Sequence, residues 1–231
     1  MLVVATANVL GTLGRRDARA AVAAVLDHEP DLVALQEWHP WRAGLLRGFR
    51  DYAWHQPALG GCATGARRTR FERVVRGSGR LSPPGRADRS GRLLGLEPPR
   101  RAGLTVQRDF VDGTLVSLIA FHLASQVQGP DHAFRADRPR LVARHQLETA
   151  ALLRLVDESL AAGLATYACG DSNFHGFRIP GLVSAWDARP DAGGTLGPAR
   201  RVDDVHGPTA PSDVVTVRTA SDHLAVVATY A

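Results

Sequence analysis

The chain contains no lysine: all 28 of its basic residues are arginine. Arginine forks bidentately onto phosphate in a way that an ammonium group does not, and the net charge of +5 favours anionic partners over cationic ones. Genomic base composition contributes to such a bias, so the high isoelectric point does not by itself assign a nucleic-acid partner. Cysteine is nearly absent too. Cys62 and Cys169 are far apart in sequence, one in an expected loop and one at the end of an expected buried strand. That excludes a disulfide framework and reads as free thiols in a reducing, cytoplasmic compartment. No long apolar run and no charged leader precede Leu2-Val3-Val4-Ala5, which argues against a signal peptide or a membrane span. Repeats and low-complexity linkers are missing, so residues 1–231 read as a single domain, large enough to bury its own core.

What is there begins with punctuated apolar runs. Residues 1–10 read as a buried strand carrying Asn8 near its end. A helical spacing over Arg15–His28 stops at Glu29-Pro30, because the residue before proline avoids the helical region. Asp31–Leu35 is a second buried strand running into Gln36-Glu37. If the two strands are neighbours, Asn8 and Glu37 lie at one edge of the sheet, where α/β proteins hold ligands. Residues 38–57, rich in Trp and His, read as loop with a short helix.

Residues 60–108 look the most irregular. Twelve arginines face three acids between 66 and 108, broken by Pro83-Pro84-Gly85 and Pro98-Pro99. Two readings stand: a solvated surface loop, or a phosphate-binding flap in which Arg86, Arg89 and Arg92 meet a polyanion. With Phe71 the sole aromatic there, no base-stacking platform is indicated in this segment.

Asp112-Gly113 between apolar runs predicts a hairpin whose second strand ends in Phe121-His122-Leu123. The longest amphipathic helix is expected over 140–162, closed by Gly163. The apolar run Ala165–Cys169 then breaks at Gly170-Asp171-Ser172-Asn173. There an acid suited to orienting water stands beside an amide that donates to anionic oxygen. Asp203 and Asp204 sit in a strand candidate, tolerable in a buried sheet only with a cation or donor to meet them. Ser221-Asp222-His223 precedes the last strand, 224–230, and the adjacent acid is expected to orient the imidazole. Oxygen and amide donors without cysteine suit a hard divalent ion, Mg²⁺ or Mn²⁺, better than zinc.

Taken in order, T-A-N at Asn8, D-L-V-A-L-Q-E at Glu37, F-H-L at His122, G-D-S-N at Asp171 and Asn173, R-V-D-D-V at Asp203 and the closing S-D-H resemble the endonuclease/exonuclease/phosphatase superfamily. The resemblance covers nearly the whole chain. It implies a four-layer α/β sandwich, two mixed β-sheets face to face with helices outside. It implies a Mg²⁺- or Mn²⁺-dependent phosphoesterase, most readily a nuclease, with a phosphatase or phosphodiesterase acting on a small metabolite or lipid headgroup as the alternative. A catalytically idle phosphate-binding member is the third reading.

By the same resemblance, Glu37 and Asn8 hold the metal, and Asp171 aligns the attacking water. Asn173 donates to the scissile phosphate, His122 contacts phosphate or protonates the leaving oxygen, and His223, oriented by Asp222, acts as base or phosphate contact. Arg67 and Arg68, the remnant of the family's middle motif, and Asp203 are implied in substrate binding. Ser172 replaces an apolar residue, implying a more open turn; the roles of Asp204 and His175 stay open. The expected protein is a cytoplasmic monomer acting on a phosphorylated substrate, nucleic acid among the candidates.

Overall fold

Period-two alternation of side chains, carried through two sheets, builds the molecule from the inside out. The computed structural model describes residues 1–88 and 95–231. Its strands, in chain order, are β1 (Leu2–Asn8), β2 (Leu32–Gln36), β3 (Tyr52–His55), β4 (Cys62–Arg67), β5 (Phe71–Ser82), β6 (Gly85–Arg86), β7 (Leu96–Glu97), β8 (Arg100–Asp109), β9 (Leu115–His122), β10 (Ala165–Asp171), β11 (Val183–Ser184), β12 (Asp203–Gly207), β13 (Asp213–Arg218) and β14 (Leu224–Tyr230). Helices α1 (Arg15–Leu26), α2 (Ala43–Leu46) and α3 (Pro139–Ala161) complete the set. One mixed sheet runs β13-β14-β1-β2-β4-β3 and the other β11-β12-β10-β9-β8-β5; β6 and β7 pair separately.

Along β1, Leu2 and Val4 enter the core between the sheets, whereas Ala5 and Ala7 pack outward with Val22 and Val25 of α1. Along β9 and β10, Leu118, Ala120, Tyr167 and Cys169 face inward, while Ile119, Phe121 and Ala168 meet Leu152 and Val156 of α3. The layers are therefore helix, sheet, sheet, helix, the sandwich that the motifs imply. The same parity carries Asn8, His122, Asp171 and Asp203 onto the inner face at strand ends. Gly170 lets β10 pass close to β9, since a β-carbon there would collide with the carbonyl oxygen of Phe121. Gly163 ends α3 at φ +73°, a left-handed position suited to glycine.

The stretch expected to be irregular is largely sheet: β4 and the 12-residue β5 occupy it. Cys62 opens β4 instead of lying in a loop, and both cysteines are free and buried. Arg89 and Arg92, named for the flap reading, lie outside the described residues. Many of the other arginines bind the protein itself: Arg70 pairs with Asp31 and Asp109, Arg73 with the Trp54 carbonyl and Arg101 with Ser78. Among the described residues, no helix is long and apolar enough to cross a membrane.

Candidate active site

Three strand ends from each sheet meet across one edge of the sandwich. Asn8, leaving β1, donates through Nδ2 to Asp171 Oδ2 of the facing sheet at 2.9 Å and approaches Glu37 Oε1 at 3.4 Å. Glu37 follows β2 at φ +54°, a costly conformation for a non-glycine residue. Its Oε2 accepts from the Gly11 amide at 2.5 Å. Asn173 is likewise left-handed at φ +54°. Its amide N–H donates to Asp171 Oδ1 at 2.7 Å, and its Nδ2 donates to the Leu123 carbonyl at 3.1 Å. His122 brings Nε2 to 3.5 Å from Asp171 Oδ2.

On the far side, His223 Nδ1 lies 2.8 Å from Asp203 Oδ2. Donor atoms of Asp171, Asp203 and His223 all fall within 4.8 Å of one another. Asp203 Oδ1 is buried and has no hydrogen-bond partner among the described residues. A buried carboxylate oxygen left unsatisfied is costly, and a cation or a ligand donor would relieve it. Glu37, Asp171 and Asp203 present hard carboxylate oxygens and no thiolate, which fits Mg²⁺ or Mn²⁺, while Asn8 Oδ1 accepts from the Leu10 amide at 3.0 Å.

Burial and charge drive these groups apart. Burial pushes the Asp171 carboxyl well above its ordinary range, Asp203 adds to the rise, and the His223 imidazolium opposes it. Burial lowers the His223 pKa, but the Asp203 hydrogen bond and the charges of Asp203, Asp171 and Asp222 outweigh it and raise the pKa to about 9. An acid that holds its proton more tightly is a stronger base once ionised, and an imidazole that stays protonated is a cationic donor.

Several expectations are relocated by this geometry. Asp222 is exposed and accepts from its neighbour Ser221 at 3.3 Å; the acid on the imidazole is Asp203. Arg67 closes β4 and Arg68 follows it, at the end that pairs with Leu32, opposite to the end at Gln36. There Arg67 binds Asp31 and the Glu29 carbonyl, and Arg68 binds the Arg50 carbonyl. They are not at the site. Ser172 does not open the turn: it is buried, and its hydroxyl reaches the Phe174 and Val202 carbonyls at 3.0 and 2.9 Å. Asp204 points to the other face of β12, where Ser184 donates at 2.6 Å and His206 approaches at 3.3 Å. His175 accepts from the Arg201 amide, and its ring lies tilted against His132 with centroids 4.5 Å apart.

The sequence reading missed the residues that hold this edge in shape. Arg42 is 2% exposed and donates to the carbonyls of Val9, Leu10, Leu13 and Glu37, tying the loops after β1 and β2 together. Glu148 of α3, fully buried, accepts the Ala124 amide at 2.7 Å, while Arg100 donates to the carbonyls of His122 and Leu123. Nothing in a lone arginine after Pro-Trp announces such a clamp. In Arg144 and Glu148 a pair four residues apart on the helix was the one available signal.

Arg42→Met should leave four carbonyls without their donor and cost roughly 3 kcal/mol or more of stability. Denaturant titration of the variant beside wild type measures this. A change below about 1 kcal/mol would remove Arg42 from its clamping role.

No family model matches the chain, and no curated protein sequence matches it. Solved structures do match across its length. TDP2 from D. rerio, complexed with a single-strand DNA product, is 15% identical with a TM-score of 0.69, covering 98% of this chain and 97% of its own. An endonuclease/exonuclease/phosphatase family protein from Bacteroides thetaiotaomicron is 17% identical (TM-score 0.66, covering 98% and 96%). The human Nocturnin catalytic domain, with a bound sulfate anion, is 17% identical (TM-score 0.69, covering 98% and 92%). The chain has the endonuclease/exonuclease/phosphatase fold.

Proposed function

We propose that this protein is a Mg²⁺- or Mn²⁺-dependent phosphoesterase that hydrolyses its substrate by direct attack of water, and that it is a nuclease. The observation that carries the reading is the meeting of Asp171, Asp203 and His223 within 4.8 Å beside the Asn8–Glu37 pair, with Asp203 Oδ1 unsatisfied. Glu37 and Asn8 would hold the ion, which when bound neutralises charge developing on the phosphoryl oxygens.

The protein's own groups divide the remaining work. Asp171, fixed by Asn8 and by the Asn173 amide, accepts the proton of the attacking water. His223, held through Nδ1 by Asp203, presents Nε2–H to a phosphoryl oxygen and stabilises negative charge there. Asn173, whose side chain is tethered to the Leu123 carbonyl, is a further donor beside it, and His122 supplies the proton to the leaving oxygen. A nucleic-acid substrate is supported by the all-arginine charge of +5, and by analogy with the TDP2 structure that holds a single-strand DNA product.

A hydrolysis panel tests the reading: plasmid, single-stranded DNA, RNA, sugar phosphates, phosphoinositides and a bis-aryl phosphate, each with Mg²⁺ and with Mn²⁺. Strand cleavage well above the rate for sugar phosphates is the expected result. Cleavage confined to a small metabolite or lipid headgroup replaces nuclease with phosphatase, and no hydrolysis anywhere leaves an idle phosphate-binding protein.

A further inference from the structure

Trp38 and Trp186 are buried, whereas Trp41, four residues after the candidate metal ligand Glu37, is 67% exposed. An indole left in water on a rigid support is a large apolar surface awaiting a partner. Its support is rigid for a stated reason. Trp41 occupies the one-turn 3₁₀ helix Pro40–Arg42, and Arg42 is the residue that binds the loop carbonyls around Glu37. One side of the indole is already stacked: the His39 ring lies parallel to it, with centroids 4.3 Å apart and planes inclined by 19°.

This stack reaches the site itself. A β-carbon on Gly11 would lie 2.9 Å from Glu37 Oε2 and 2.9 Å from His39 Nε2, so carboxylate and imidazole flank the same small gap. Glycine at 11 keeps the gap open beside the His39 ring. Beyond α2 runs a groove of about 400 Å³ lined by Arg47, Arg50 and Arg68 together with Phe49, Tyr52 and Trp54. Among the described residues none of these three guanidiniums is paired with a carboxylate. Gln56, at the groove's other end, donates to the Trp38 carbonyl at 3.0 Å and so joins it to the loop of Glu37.

We infer that the His39–Trp41 stack is a seat for a nucleobase carried on the substrate phosphate, with the Arg47–Arg50–Arg68 groove as the path of further phosphates in a single strand. The inference rests on the phosphoesterase reading and names the substrate class for that site. The chemistry is that of single-strand binding: an aromatic face takes any base, and unpaired guanidiniums follow the backbone. A sugar phosphate without a base has nothing to place on the indole.

Binding, measured by calorimetry in excess chelator so that nothing turns over, tests this with adenosine 5′-monophosphate, a ten-residue oligothymidylate and ribose 5-phosphate. Trp41→Leu should weaken the two base-bearing ligands about five- to hundred-fold, the range of one stacked base, and leave ribose 5-phosphate unchanged; Trp41→Phe should retain most of the affinity. An unchanged melting temperature checks that the exposed position does not affect folding. Replacing Arg47, Arg50 and Arg68 with Gln should flatten the salt dependence for the oligonucleotide alone, assigning a strand; an unchanged slope assigns a mononucleotide to the same seat. Equal losses for ligands with and without a base, or no loss at all, overturn the inference. Because no hydrolysis is involved, a protein that stacks bases but cleaves nothing would refute the phosphoesterase reading and leave the seat standing.

Discussion

His223→Ala should lower turnover on the best panel substrate by about two to four orders of magnitude, with little change in binding of the metal at Glu37. On the proposed reading, the imidazole is the cationic donor of the site. Its pKa near 9 depends on Asp203, because burial alone would drive it down. Asp203→Asn keeps the shape of that partner and removes its charge. The alkaline limb of the pH–rate profile should therefore move to lower pH, with turnover at pH 8 falling by at least tenfold. Asp222→Asn should change turnover less than about threefold, since its carboxylate is exposed and bonded to Ser221.

Stability supplies a second readout. A His pKa raised to about 9 from an unfolded value near 6.5 stabilises the fold fully below about 6.5, and that contribution is lost as pH rises through about 9. The raised Asp171 carboxyl acts with the same sign, since the folded state there also binds the proton more tightly than the unfolded chain. In chelator the melting temperature should therefore fall from pH 6 to pH 9, and Asp203→Asn should flatten that slope. Near wild-type turnover in His223→Ala would refute the assigned role. Loss of activity in strict proportion to melting temperature would reduce the pair to a structural tie.

Removing the ion should abolish hydrolysis, and Mg²⁺ or Mn²⁺ should restore it. Glu37→Gln preserves the side-chain shape and the hydrogen bond from Gly11 while removing the charge. Calorimetric metal affinity should drop at least tenfold, and the rise in melting temperature on adding Mg²⁺ should shrink with it. Asn8→Asp is the informative opposite. It adds negative charge near the ion but deprives Asp171 of a donor at 2.9 Å, so affinity should hold or increase while turnover falls. Full activity in excess chelator would end the metal-dependent reading.

The strands nearest this chemistry were the most legible. The last strand, 224–230, matches β14 in both bounds, and the helices at 15 and 140 begin within a residue of their observed starts. Apolar runs buried on both faces identify themselves, and the polar residue that ends each is conspicuous. The stretch containing β4 and β5 was opaque for an equally physical reason. β5 is an edge strand with few buried residues, and register shifts between Arg73 and Val75 and between Arg80 and Ser82 break its period. Arginines that look like a loop surface when read in line are, in space, partners of Asp31, Asp109 and backbone carbonyls.

From sequence alone came the donor inventory and its position at strand ends, because an alternation of two carries each terminal residue to a definite face. Only the tertiary structure decided which donors meet. Asp203 belongs to one sheet and His223 leads into a strand of the other, so their contact at 2.8 Å exists only where the sheets face each other. Asp222, adjacent in sequence, turns to solvent instead, in the bend that precedes β14. Arg67 and Arg68 fall at the far end because β4 runs antiparallel to β2. The exposure of Trp41 was settled by the clamp beneath it, where Arg42 draws its own side chain inward and leaves the indole outside.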